Sequence, residues 1–191
     1  MPPKAKFTRE EIVAQALEIV KTNGIDALTA RSLGEKLGSS ARPIFTVFSS
    51  MDEVQNAVVA SARRLYEKYI DDCMQCSNPF KGSGIGYIRF ASEQPKLFQL
   101  LFMRERFDSP DRGTVLSLID NNYERILQSV QTEYGFSYET SREVYLHLWI
   151  YSHGIASLIA TNVCKFSEQV ISEMLADVGA SIIRKYKSEG K

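Results

Sequence analysis

Apolar residues recur three and four positions apart along most of the chain, the period of helices with one buried face. Ile12, Val13, Ala16, Leu17, Ile19 and Val20 form one such stripe. Val54, Ala57, Val58, Leu65 and Ile70 form a second, and Val115, Ile119, Tyr123, Ile126 and Val130 a third. Leu146, Ile150, Ile155, Leu158 and Ile159 follow, then Val170, Met174, Leu175, Val178, Ile182 and Ile183. Gly24, Gly38, Asn78-Pro79, Pro95, Gly135 and Asn162–Phe166 interrupt these stripes where turns belong. The pattern predicts an all-α protein of about nine helices.

Helix starts are written in capping residues. Thr8 with Glu11, and Ser50 with Glu53, have the spacing of capping boxes, and Ser167 is placed to cap the last helix. The helix begun at Met51 is expected to run to about Cys76. Gly84–Gln94 and Lys96–Met103 are expected as a helix pair broken at Pro95. RERFDSPD (104–111) reads as a polar loop, Arg112–Tyr134 as one long helix, and Tyr138–Lys187 as two helices. The GSGIG string (82–86) lacks the spacing of a dinucleotide fingerprint and reads as a loop entering a helix.

Between Leu28 and Phe48 the sequence LTARSLGEKLGSSARPIFTVF suggests two short helices and a tight turn. Thr29 is placed to cap the first. Gly38 can leave it in a left-handed conformation. Ser39 and Ser40 offer hydroxyls to cap the second, and Pro43 suits a first turn. Leu33 with Leu37, and Ile44 with Phe48, give each helix its own apolar edge. This is the layout of a helix-turn-helix, with a reading helix expected over Ala41–Val47. Ser39, Ser40, Ala41 and Arg42 are the outward candidates at its start, with Thr46 as a weaker one. The Arg42 fork matches the O6/N7 pair of guanine, or it neutralises a phosphate. Arg31 suits a backbone clamp, and Thr29 a cap that also donates to phosphate.

Charge and composition change this picture little. The 191 residues carry no net charge, with 44% hydrophobic and 24% charged residues. Residues 1–50 hold seven Lys/Arg against five Asp/Glu, leaving 16 against 18 in the remainder. DNA affinity would therefore come from a few placed contacts and not from a broad basic surface. Pro2–Lys6 reads as an arm whose two lysines either reach DNA or remain in solvent. Three cysteines are too few for a disulfide framework. No apolar run has the length of a membrane span, and MPPKAKF lacks the apolar stretch of a signal peptide, so a cytoplasmic location is expected.

The segment from Phe7 to about Val59 resembles the DNA-binding domain of the TetR family of bacterial transcriptional regulators. The matching stretches are TREEIVAQALEIV (8–20), NGIDALTARSLGEKLG (23–38), PIFTVF (43–48) and SMDEV (50–54). The resemblance implies a helix-turn-helix domain over residues 1–50 and a ligand-binding and dimerisation domain over 51–191. Helix 51–76 would link the two. It further implies a homodimer, formed through the last two helices, that binds a palindromic DNA operator and is released by a small-molecule inducer. Phe45, Val47 and Met51 stand where the family commonly has Tyr, His or Tyr, and Lys. Phe45 could still pack on a sugar or a thymine methyl. The phosphate clamps lost there shift weight to Arg42, Arg31 and the Ser39-Ser40 pair.

WIYSHGIASL (149–158) is similar to a Trp-His-Gly signature of one subgroup of these C-terminal domains. Trp149 and His153 share a helix face, with His153 either a satisfied core residue or a ligand contact, and Gly154 allows a second helix to approach. Phe90, Phe98, Phe102, Tyr123, Trp149 and His153 are the candidate ligand-binding residues, each of which could equally be core. Cys73 and Cys76 form a lone CxxC, structural or a thiol switch. His147 and His153 are six apart, so they point to different faces and suggest no metal site. No cofactor motif or enzyme signature is present: HExxH, the P-loop and GxSxG are all missing. Two alternatives remain beside a ligand-released repressor. One is a DNA-binding structural protein without a ligand switch; the other is an all-helical small-molecule binder or enzyme whose helix-turn-helix is accidental.

Overall fold

The computed structural model describes residues 6–104 and 114–189, and among them the fold is all-α with nine helices and no strand. They are α1 (Arg9–Asn23), α2 (Ala30–Lys36), α3 (Met51–Met74), α4 (Pro79–Glu93), α5 (Pro95–Phe102), α6 (Val115–Ile119), α7 (Tyr123–Tyr134), α8 (Tyr138–Ala160) and α9 (Glu168–Glu189). Short 3-10 turns occur at Ile25–Ala27 and Ile44–Thr46. No described helix is long and apolar enough to cross a membrane.

The helix ends follow the capping chemistry. Thr8 Oγ1 accepts from the Glu11 amide at 3.1 Å, while Glu11 Oε2 accepts from the Thr8 amide at 2.8 Å. Ser50 Oγ likewise accepts from the Glu53 amide, but the Glu53 carboxylate reaches one residue further back. It takes the Ser49 amide at 2.8 Å and the Ser49 hydroxyl at 2.9 Å. These bonds, with Arg9, hold its pKa down at about 2. Asn78 Oδ1 caps α4 at the Lys81 amide, with Pro79 in the first turn. Ser137 and Ser167 cap α8 and α9, and Gly135, at φ 71°, closes α7 in the left-handed region.

The chain divides into two compact units. One gathers the described residues up to Leu65 with Gln94–Arg104, and in it α1 packs against α2 and α5. Its core includes Ile12, Val20, Leu33, Ile44, Phe48 and Phe98. The other gathers Tyr66–Glu93 and the described residues from Thr114 onward; there α4 packs against α7, α8 and α9. The division falls inside α3 rather than before it, and α5 belongs with α1 because its buried Leu97 and Phe98 complete that core.

Several expectations change. The GSGIG string is not a loop but the interior of α4. Glycine is required there by proximity: a Cβ on Gly82 would lie 2.1 Å from the Cys73 carbonyl oxygen, and one on Gly86 would lie 2.8 Å from that of Tyr69. The long helix expected up to Tyr134 is broken after Ile119, where Asp120 Oδ1 accepts from the Asn122 amide at 2.8 Å and turns the chain. α3 stops at Met74. A Cβ on Gly154 would meet nothing within 4 Å, so among the described residues no second helix presses on it. Residues 2–5 of the basic arm and 105–111 of the RERFDSPD loop lie outside the described residues.

Candidate functional site

Two places concentrate the candidate residues, one in each unit. In the first, Thr29 caps α2: its Oγ1 accepts from the Ser32 amide at 3.1 Å, and its own amide donates to Ser32 Oγ. α2 leaves through Gly38 at φ 63°, and the Ser39 amide donates back to the Gly34 carbonyl at 2.9 Å. The turn then folds tightly over α2. A Cβ on Gly34 would lie 3.0–3.1 Å from the backbone of Ser39, Ser40 and Ala41, so only glycine fits easily.

The reading helix expected over Ala41–Val47 is not α-helical. The amides of Ile44, Phe45, Thr46 and Val47 donate to the carbonyls of Ala41, Arg42, Pro43 and Ile44, an unbroken i→i+3 ladder with a 3-10 core at Ile44–Thr46. Ten residues separate the left-handed Gly38 from Ser49, and the segment closes on one i→i+4 bond, from the Phe48 amide to the Ile44 carbonyl at 3.0 Å. Ser39 and Ser40 do not cap this segment, which has no side-chain cap; Ser39 Oγ instead accepts from Lys6 Nζ at 3.2 Å.

Ile44 and Phe48 anchor the turn in the core. Ser40, Arg42, Phe45 and Thr46 are exposed, while Ser39 and Ala41 are half-buried. Phe45 keeps 47% of its surface in solvent, so its ring is free to be covered by a partner. Thr46 Oγ1 donates to the Pro43 carbonyl at 2.7 Å. Arg31 is exposed and bonds Glu35 one turn on at 2.9 Å, which pushes its pKa up. Behind the turn, the Arg9 guanidinium lies 4.3 Å from the centre of the Phe48 ring and bonds Glu53 at 2.8 Å.

In the second unit a cavity of about 130 Å³ is lined by residues from α3, α4, α7, α8 and α9, with Asp120 between α6 and α7. Tyr66, Tyr87, Asp120, Tyr145 and Trp149 line it, with the rings of Phe80 and Tyr134 and the polar side chains of Asn78, Lys81, Ser83 and Ser152. Asp120 is 3% exposed. Its Oδ2 accepts from the Tyr66 phenol at 2.7 Å and from the Tyr145 phenol at 3.4 Å. Its Oδ1 accepts from the amide and the side-chain nitrogen of Asn122. Burial pushes the phenols of Tyr66, Tyr87 and Tyr145 well up, and the negative charge of Asp120 adds to the rise. Trp149 Nε1 opposes this at Tyr87 but reaches hydrogen-bond geometry with no acceptor among the described residues.

Of the six aromatic candidates, Trp149 lines the cavity. His153 stands behind it: the two rings stack with centroids 5.1 Å apart, and His153 Nδ1 lies 2.8 Å from the Tyr87 phenol oxygen. Tyr123 stacks on Tyr145, and Phe90 packs edge-on against Tyr66, so both support the wall. Phe98 and Phe102 belong to the first unit, where they pack on each other, and do not line this cavity. Among the described residues no cluster of His, Cys, Asp or Glu could hold a metal ion. Cys73 and Cys76 are free thiols; burial raises the pKa of Cys73, and Cys76 Sγ bonds the Asn78 carbonyl oxygen.

Asp120, Tyr66 and Tyr145 were not singled out from the sequence. The one available signal was an acidic residue interrupting an apolar stripe. Matched against models of known protein families the chain fits none, and no curated protein sequence matches it.

Proposed function

We propose that this chain is a TetR-like transcriptional regulator, a repressor that binds a palindromic DNA operator as a homodimer and is released by a small molecule. The observation that carries the reading is the turn at Gly38. It holds Ile44 and Phe48 in the core and leaves Ser40, Arg42, Phe45 and Thr46 facing solvent. A short helical edge of this kind, offering a guanidinium, hydroxyls and an apolar ring, suits the major groove. Arg42 would read a base, Phe45 would cover a thymine methyl or sugar, and Thr29 and Arg31 would hold phosphates from the start of α2.

Self-association is supported by the outer face of α8 and α9. Ile150, Gly154 and Leu158 fall at four-residue spacing on α8, with Ile150 55% and Leu158 39% exposed. On α9 Val170 is exposed. A second copy placing the same helices against these would bury both stripes about a two-fold axis. Such a pair would present two reading edges to half-sites about 34 Å apart or a multiple of that. The cavity of the second unit supplies room for the releasing ligand.

The test selects bound fragments from genomic DNA and follows the recovered palindrome by fluorescence anisotropy over a range of salt. The proposal expects saturable binding by a dimer whose affinity falls steeply with salt. A monomer with no salt-dependent DNA binding would overturn it.

A further inference from the structure

We infer that the cavity of the second unit is a site for a small organic cation that carries no N–H, such as a quaternary ammonium on a compact apolar body. This rests on the ligand-sensing half of the proposed function and names the class of molecule sensed.

The first support is the charge of Asp120. It is 3% exposed, lines the cavity, and forms no ion pair with any cation among the described residues. Its hydrogen-bond donors are two phenols and an asparagine, all neutral. Neutral donors replace the water lost on burial but leave the charge uncompensated, and a cation entering the cavity would compensate it.

The second support is the wall. Tyr66, Phe80, Tyr87, Tyr134, Tyr145 and Trp149 bring six rings to one cavity. Aromatic faces attract cations, most strongly where water is excluded, and repel anions. Lys81, which also lines the cavity, is exposed. Its stem can lie along the rim with the ammonium in water.

The third support is that the carboxylate itself disfavours the commoner N–H cations. Each Asp120 oxygen already accepts two hydrogen bonds, so the carboxylate has little acceptor capacity left for an N–H donor. A primary ammonium would arrive with donors to satisfy, whereas a methylated one needs only proximity. Size agrees: about 130 Å³ is close to the ~150 Å³ apolar cavity that admits benzene in another protein. Tetramethylammonium is a body of that scale.

The chain has one tryptophan, and it lines the cavity, so its indole N–H resonance reports on the site alone. Full-length protein without DNA is titrated at constant ionic strength with tetramethylammonium, tert-butanol, trimethylacetate and methylammonium. We expect a saturable shift of the Trp149 resonance, with tetramethylammonium at least about tenfold tighter than each of the others. Asp120→Asn should remove that preference, while Lys81→Ala should keep it. Equal binding of tert-butanol, tighter binding of methylammonium, or capture of trimethylacetate lost in Lys81→Ala would each overturn the inference. Wild-type protein carries the comparison should Asp120→Asn fail to fold. A missing cation preference in a protein that binds its operator overturns this inference alone. Cation preference in a protein that binds no DNA supports it and overturns the regulator.

Discussion

The Tyr87 phenol oxygen and His153 Nδ1 lie 2.8 Å apart, joining the middle of α4 to the middle of α8. Burial holds the His153 pKa below its ordinary value. The unfolded chain therefore takes up a proton at a pH where the folded one still resists it, and stability falls as pH drops below about 6.5 toward the lowered value. Urea denaturation should show a midpoint that declines between pH 7.5 and 5.5. His153→Gln, which cannot titrate, should flatten that decline. An unchanged slope would mean that His153 titrates freely.

The glycines should separate sharply under alanine substitution. Gly82→Ala drives a methyl into the Cys73 carbonyl, so it should cost about 1–3 kcal/mol or more in thermal or urea unfolding. Gly154→Ala meets nothing and stiffens a helix interior, so it should add about 0.5–1 kcal/mol to the stability of the monomer. In the proposed dimer the same methyl would enter the two-fold contact and weaken association, which sedimentation would read.

These glycines also show where the sequence was legible and where it was not. Thr8 with Glu11, Gly135 and Ser167 declared helix ends because caps are local chemistry acting over three or four residues. GSGIG was opaque because glycine is locally a helix breaker, and its reason here is a neighbouring backbone that no nearby residue encodes. Asp120 was opaque for the same cause at longer range: its phenol partners are 54 residues before it and 25 after. Within the candidate DNA edge the residue types and the left-handed Gly38 were readable. Its 3-10 pitch was not, since apolar spacing over seven residues does not separate i→i+3 from i→i+4 bonding.

Ser141 offers a cleaner reading of hydrogen bonding in the core. Its hydroxyl is fully buried and finds no partner among the described residues. Ser141→Ala should therefore raise stability, by up to about 1 kcal/mol, because an unpaid desolvation is removed with almost no change in volume. Calorimetric melting of the two proteins decides it; a lower melting temperature for the alanine variant would reveal a partner for that oxygen.

Arg42 and Arg31 should differ in what their loss does to DNA binding. Arg42→Ala should cost about 1–3 kcal/mol and relax preference at one base position. Arg31→Ala should weaken binding evenly across sequences and lower the salt slope by about 1. Competition among single-base operator variants, measured over a salt series, separates the two roles.

The wide sequence separation around Asp120 bears on biosynthesis. While the chain is still leaving a ribosome, Tyr66 emerges long before the carboxylate it will hold, and Tyr145 only after both. Until α8 appears the nascent protein must keep a half-built, charged pocket wet, and the last stretch of translation lets that water go.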